Sequence, residues 1–231
     1  MVRGAQEIWQ LVWDAKPSTV CGPDDVSSSI TCPCSGFAYG EYGDLSLVRQ
    51  RGDQTERMPL SPLFGMFDSP DFEKTRGKAI LQRWPLEVDD LAREDRSDPT
   101  LVTDIVRRNE RAVIEPADYD RDGSATEFLI QVGTLPCGKL QFAAIGIASS
   151  NNRLHILTSL AKPNQPLIMP AAAWSALRGS AGPTAVTTWA CGDHGADQRN
   201  MLVVSALDGE IRVRERKYSC DDEKLIDESD F

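Results

Sequence analysis

Met201-Leu-Val-Val-Ser-Ala-Leu207, Asp208-Gly209 and Glu210-Ile-Arg-Val-Arg-Glu-Arg-Lys-Tyr218 decide the fold class. Two β-prone runs flank an Asp-Gly pair, which supplies the positive φ angles that a tight primed turn needs. In the second run Ile211 and Val213 alternate with Arg212, Arg214 and Arg216, so one face is buried and the other is wet. The hairpin is antiparallel, and its neighbours read the same way. Thr184–Ala190 is a strand. Lys139–Ala148 and Arg153–Leu160 form a second hairpin across Ser149-Ser150-Asn151-Asn152. Phe128, Ile130 and Val132 alternate with Leu129 and Gln131 in a further strand. Between them, Pro170 to Leu177 reads as a short helix with Trp174 and Leu177 inward.

Further upstream the pattern changes. Phe72, Ile80, Leu81 and Trp84 have roughly helical spacing, ended by Pro85. A second helix starts at the Asp98-Pro99 cap and turns Leu101, Val102, Ile105 and Val106 to one face. Residues 1–66 are rich in Gly, Pro and Ser, with Leu45–Arg49 a strand. The expected fold is α+β: a mainly antiparallel sheet covered by two helices, with a disulfide-stapled, irregular N-terminal β segment. The expected domain spans residues 1–220 (1–66 Cys/Gly-rich, 71–110 helical, 127–220 sheet), with 221–231 an acidic tail.

The balance of 25 basic against 35 acidic residues gives a net charge of −10. That balance, without a basic stripe, argues against nucleic acid as partner. No apolar run approaches the roughly 18 residues of a membrane span. Ile8–Trp13 is bracketed by Glu7 and Asp14 and lacks a cleavage site, so no signal peptide is legible, and a secreted reading takes the sequence as a processed form.

Six cysteines sit mostly beside turn residues: Cys21, Cys32, Cys34, Cys137, Cys191 and Cys220. Disulfides and an oxidising compartment, secreted or periplasmic, account for that layout. The pairings expected are Cys191 with Cys220, and Cys21 with Cys32 or Cys34. The competing reading is a cytosolic protein with free thiols or a Cys21, Cys32, Cys34 metal site.

The sharpest chemical motif is Asp118-Tyr119-Asp120-Arg121-Asp122-Gly123. Oxygen ligands at alternate positions wrap a hard cation, and glycine at the sixth makes the turn. With 22 Asp and 17 Gly in the chain, composition alone gives about 0.01 such hexapeptides. An EF-hand is excluded, because its twelfth position would be Leu129 rather than Glu, and Pro116 interrupts the incoming helix. The segment resembles the calcium loops of FG-GAP and VCBS-type repeats, in which Asp-x-Asp-x-Asp-Gly leads into a strand with an acid about three residues past the glycine. Here that acid, Glu127, comes one residue later, and there is one copy rather than a repeat. The resemblance covers about fifteen residues. It implies Ca2+ held by the side chains of Asp118, Asp120 and Asp122, the Ser124 carbonyl and Glu127, in a structural role. The cysteine-rich layout resembles that of bacterial secreted proteins.

Other constellations are weaker. Cys191-Gly-Asp-His194-Gly holds one of two histidines, the other being His155. A cysteine nucleophile with a histidine base, or a metal on Asp193, His194 and Asp197, competes there with a disulfide-tethered turn. Phe37, Tyr39 and Tyr42 suit a ligand groove, and Glu41, Asp44, Glu110 and Glu115 are acid-pair candidates by residue type alone. No nucleophile elbow, Walker loop or dinucleotide fingerprint occurs. The function expected is a non-catalytic calcium-binding module for a protein or carbohydrate ligand. The competing expectation is an extracellular hydrolase using an acid pair or His194.

Overall fold

The computed structural model describes residues 6–20, 40–64, 77–82, 100, 103, 105–107, 114–135 and 139–231. They gather into two compact units: Arg3–Glu115 with Gln131–Gln141, and Pro116–Ile130 with Phe142–Phe231. This division is finer than the single domain read over 1–220. Cys21, Cys32, Cys34, Cys137, Phe37 and Tyr39 lie outside the described residues.

The first unit carries two antiparallel three-stranded sheets. One has the order β1 (Ile8–Trp13), β4 (Leu45–Arg51), β5 (Gln54–Pro59); the other has the order β2 (Ser18–Val20), β3 (Gly40–Gly43), β6 (Ala79–Gln82). A one-turn helix, α1 (Ser61–Phe64), follows β5 and buries Leu63 and Phe64. Strand β5 is polar and carries no sequence signal of its own. It forms because Gly52, at φ 55°, turns the chain back on β4.

The second unit is built around the hairpin quoted above. Strands β12 (Gln198–Leu207) and β13 (Glu210–Ser219) pair antiparallel from Leu207↔Glu210 to Gln198↔Ser219. Asp208 (φ 51°) and Gly209 (φ 83°) make the turn. Strands β11 (Thr184–Trp189) and β14 (Leu225–Asp230) flank it, in the order β11-β12-β13-β14. A further sheet, not confined to this unit, has the order β10 (Ile168–Pro170), β8 (Lys139–Ile147), β7 (Phe128–Leu135), with β9 (Leu154–Ile156) also on β8.

Helix α2 (Ala171–Gly179) buries Ala173, Trp174 and Leu177, a one-sided spacing that meets Leu202, Val204, Ala206, Ile211 and Val213 from the hairpin. The Trp174 indole N–H donates to the Phe142 carbonyl at 3.0 Å, so the buried ring keeps its polar atom satisfied.

Two expectations need correction. Among the described residues, two helices covering the sheet are not found. Of the segment read as helical, Ile80 and Leu81 lie in β6, where backbone pairing with β3 outweighs their apparent helical spacing. Residues 100, 103 and 105–107 are helical, and the helix packed on the second unit's core is the short α2. Nor does the acidic tail of 221–231 stand apart from the sheet. Its residues 225–230 form β14, because Arg214, Arg216 and Lys217 of β13 face Asp230, Glu228 and Asp227 in register.

Cys191 and Cys220 form a disulfide with Cα atoms 5.6 Å apart, the pairing read from sequence. A disulfide is the mark of an oxidising environment. No helix among the described residues is long and apolar enough to cross a membrane.

Candidate metal centre

The acid-rich loop is closed at its base by an isolated antiparallel bridge. Ala117 N–H donates to the Glu127 carbonyl at 2.7 Å, and Glu127 N–H to the Ala117 carbonyl at 3.0 Å. Within it, aspartates cap the loop's own amides. Asp118 Oδ2 accepts from Gly123 N–H (3.1 Å), Asp120 Oδ1 from Asp122 N–H (3.1 Å), and Asp122 Oδ1 from Ser124 N–H (2.8 Å). Arg121 (φ 58°) and Gly123 (φ 89°) take left-handed backbone, which gives the tight curvature.

The loop is anchored on two sides. Tyr119 meets Trp174 edge-on, with centroids 5.6 Å apart, and so joins the core of the second unit. The carbonyl of Asp120 accepts from Gly209 N–H at 3.0 Å, which ties the loop to the β12–β13 turn.

Glu127 enters from the end of the loop and is fully buried. Its Oε2 accepts from Tyr119 N–H at 3.0 Å, and its Oε1 takes a short hydrogen bond from the Thr126 hydroxyl. Gly146 of β8 makes room for it. A Cβ at that position would lie 2.6 Å from Glu127 Cγ. A glycine inside an apolar strand, as in Ala144-Ile-Gly146-Ile147, is the sequence signal of such a close approach, and the motif reading missed it.

Carboxylate oxygens of Asp118, Asp120 and Glu127 lie within 4.8 Å of one another, a set that can hold a metal ion. Asp122 is not in that set of side-chain oxygens. Asp122 caps Ser124, and the Ser124 carbonyl accepts from Thr126 N–H at 2.9 Å. Asp118 Oδ1 is buried with no hydrogen-bond partner, which is costly for a carboxylate unless a cation meets it. Burial pushes Asp120 up to about 6 and Glu127 up to about 7, and the neighbouring carboxylates push the same way. No ion pair reaches Asp118, Asp120 or Glu127 among the described residues, and the Arg121 guanidinium turns away to the Arg178 carbonyl. The donor chemistry therefore fits a cation: oxygen ligands only, excess negative charge, and one oxygen unsatisfied.

Neither histidine is a member of this set. His155 faces Gly146 across β8 and β9, with Nδ1 buried and unpartnered, and burial lowers its pKa. His194 is exposed, with Nε2 3.6 Å from Asp193 Oδ1 and its ring 6.0 Å from Trp189. Cys191 is bonded to Cys220 and has no thiol to act as a nucleophile.

Comparison with protein-family profiles, with curated proteins and with solved structures finds no match for this chain.

Proposed function

We propose that residues 118–127 bind a calcium ion in a structural role, within a secreted or periplasmic domain that works by binding a protein or carbohydrate partner. The observation that carries the cation is Glu127, a fully buried carboxylate that converges with Asp118 and Asp120 and meets no positive charge among the described residues. An all-oxygen set favours a hard cation over zinc or copper, and the flexible, one-sided ligation of a short loop suits calcium better than magnesium. The affinity expected is that of extracellular modules, on the order of 0.1–1 mM. The disulfide supports an oxidising compartment. The binding role rests on the absence of a catalytic motif in the sequence.

The test is thermal unfolding with millimolar calcium and with chelator, on the wild type and on Asp120→Ala. Calcium raises the wild-type midpoint by linkage and leaves the variant unmoved. Equal midpoints in the wild type with and without calcium would reduce the loop to an aspartate-capped turn.

A further inference from the structure

Strand β14 is held to its sheet by a different chemistry from the strands beside it. Leu202, Val204 and Ala206 of β12 and Ile211 and Val213 of β13 reach the core. All six residues of β14 are exposed, including Leu225 at 51% and Ile226 at 52%. Apolar burial along the strand therefore contributes little to its docking.

Charge takes its place. Asp230 stands opposite Arg214, Ser229 opposite Glu215, Glu228 opposite Arg216 and Asp227 opposite Lys217. Each acid of β14 meets a base, and the acid in that stretch of β13 meets a serine, so no like charges face each other there. Arg214 reaches Glu228 and Asp230 at 3.1 and 3.3 Å, Arg216 reaches Glu228 at 2.5 Å, and Lys217 reaches Asp227 at 3.4 Å. The paired side chains are 32% to 65% exposed. Such pairs are individually weak and are screened by salt.

The segment has a fixed base and one apolar anchor. Cys220 is tied by the disulfide to Cys191 and by its N–H to the Asp197 carbonyl at 2.9 Å. The turn beyond it sets Asp221, Asp222 and Glu223 in a row, and Glu223 takes left-handed backbone at φ 54°. Both features disfavour the closed turn. At the other end Phe231 packs, partly buried, against the core of the second unit. Its N–H donates to the Val213 carbonyl at 2.9 Å, its carbonyl accepts from the Ser159 hydroxyl, and Lys162 Nζ stands 5.2 Å from the ring centroid.

We infer that residues 221–231 form an electrostatic strap, latched by Phe231, which opens from β13 while β11, β12 and β13 stay folded, and whose opening is set by ionic strength. Few buried contacts and exposed pairing mark the segments that open well below the cost of global unfolding. Opening uncovers the outer edge of β13 and parts Arg214, Arg216 and Lys217 from their β14 partners. The closed form thus hides a basic edge strand that the open form presents. The strap shares no residue with the acid loop and does not depend on the cation.

The test is amide hydrogen exchange of the full chain, followed by NMR in chelator, at about 0.05 M and about 0.5 M NaCl, which brackets strong and weak screening. The readouts are the Phe231 amide and the β14 amides that pair with β13, against Leu202 and Val204 of β12. The β14 set should exchange at least about tenfold faster than the β12 pair, and should gain a further threefold to tenfold, roughly, in the higher salt while the β12 pair does not. Arg214→Gln/Arg216→Gln should exchange fast at both salt levels and lose the salt response. Phe231→Ala should speed the β14 set at both levels and keep the response, which separates the latch from the charge pairing. Exchange of β14 in step with β12, a wild type indifferent to salt, or arginine variants that keep the full salt response would each overturn the strap. A Phe231→Ala variant that exchanges as the wild type does would overturn the latch. None of these results bears on the calcium-raised midpoint, so either reading can fail alone.

Discussion

Glu7 and Glu127 are the same residue type, and both carboxyls are closed off from solvent, with the Glu7 side chain 1% exposed and the whole of Glu127 buried. They sit in opposite electrostatic surroundings. In the first unit, Arg49 grips Glu7 with Nε and Nη2 at 2.8 and 2.7 Å, the Trp9 indole donates at 3.0 Å, and Arg51 approaches to 3.8 Å. The Arg49 guanidinium holds the Glu7 carboxyl below its ordinary value. In the second unit, Glu127 faces other carboxylates and is pushed up to about 7 by burial. Burial alone does not decide what a glutamate does. The first glutamate brings its counter-charge in the chain, while the second meets none among the described residues.

The contrast can be broken from the first side. Arg49→Met should leave Glu7 buried and unpaired, at a cost of about 3–5 kcal/mol in urea unfolding. A loss below about 1 kcal/mol would mean that water or Arg51 replaces Arg49 and that the two glutamates are less different than they look. Next in size, Gly146→Ala drives a methyl group into the Glu127 side chain. We expect a loss of about 1–3 kcal/mol, together with a weakened calcium response in thermal unfolding, since Glu127 has to move. A variant as stable as the wild type would show that Glu127 has room to spare.

Glu127→Gln sharpens the comparison. In chelator it removes an uncompensated buried charge, so its midpoint should equal or exceed that of the wild type. In calcium the wild type should overtake it. A variant that is less stable in both buffers would show that Glu127 serves as a hydrogen-bond acceptor for Tyr119 and Thr126 and not as a ligand.

The smallest effect concerns acid. The folded-state value of Glu7 is depressed, so its contribution is complete above the unfolded value of 4.5 and is lost as pH falls through the folded value. Glu7→Gln should therefore flatten the decline in stability below pH 4.5 and leave the slope between pH 6 and 8 unchanged. An unchanged acid limb would assign that decline to other carboxylates, such as Asp14 beside Arg57 and Asp44 beside Lys78.

What the sequence disclosed follows the range over which its signals act. The β12–β13 hairpin was legible because Asp208-Gly209 fixes a turn locally and alternation fixes the faces. The acid loop was legible for the same reason: its capping bonds span two to five residues. The burial of Glu127 beside Asp118 and Asp120 was not, because it depends on Gly146 lying beside Glu127, a contact between segments with no shared periodicity. Strand β5 was hidden by its polar side chains, and β6 by an Ile-Leu pair that fits a helix equally well. Strand β14 was read as tail because its acids look repulsive in one dimension. Only its register beside Arg214, Arg216 and Lys217 makes them cohesive.

The hydrogen bond from Gly209 N–H to the Asp120 carbonyl gives this protein a built-in gauge. One backbone amide, in a turn of known conformation, ends on the same residue whose carboxylate belongs to the acid set. Its exchange rate and chemical shift register the state of the loop without any label or substitution. A spectroscopist following that single resonance through a calcium titration can test whether the loop takes up the ion.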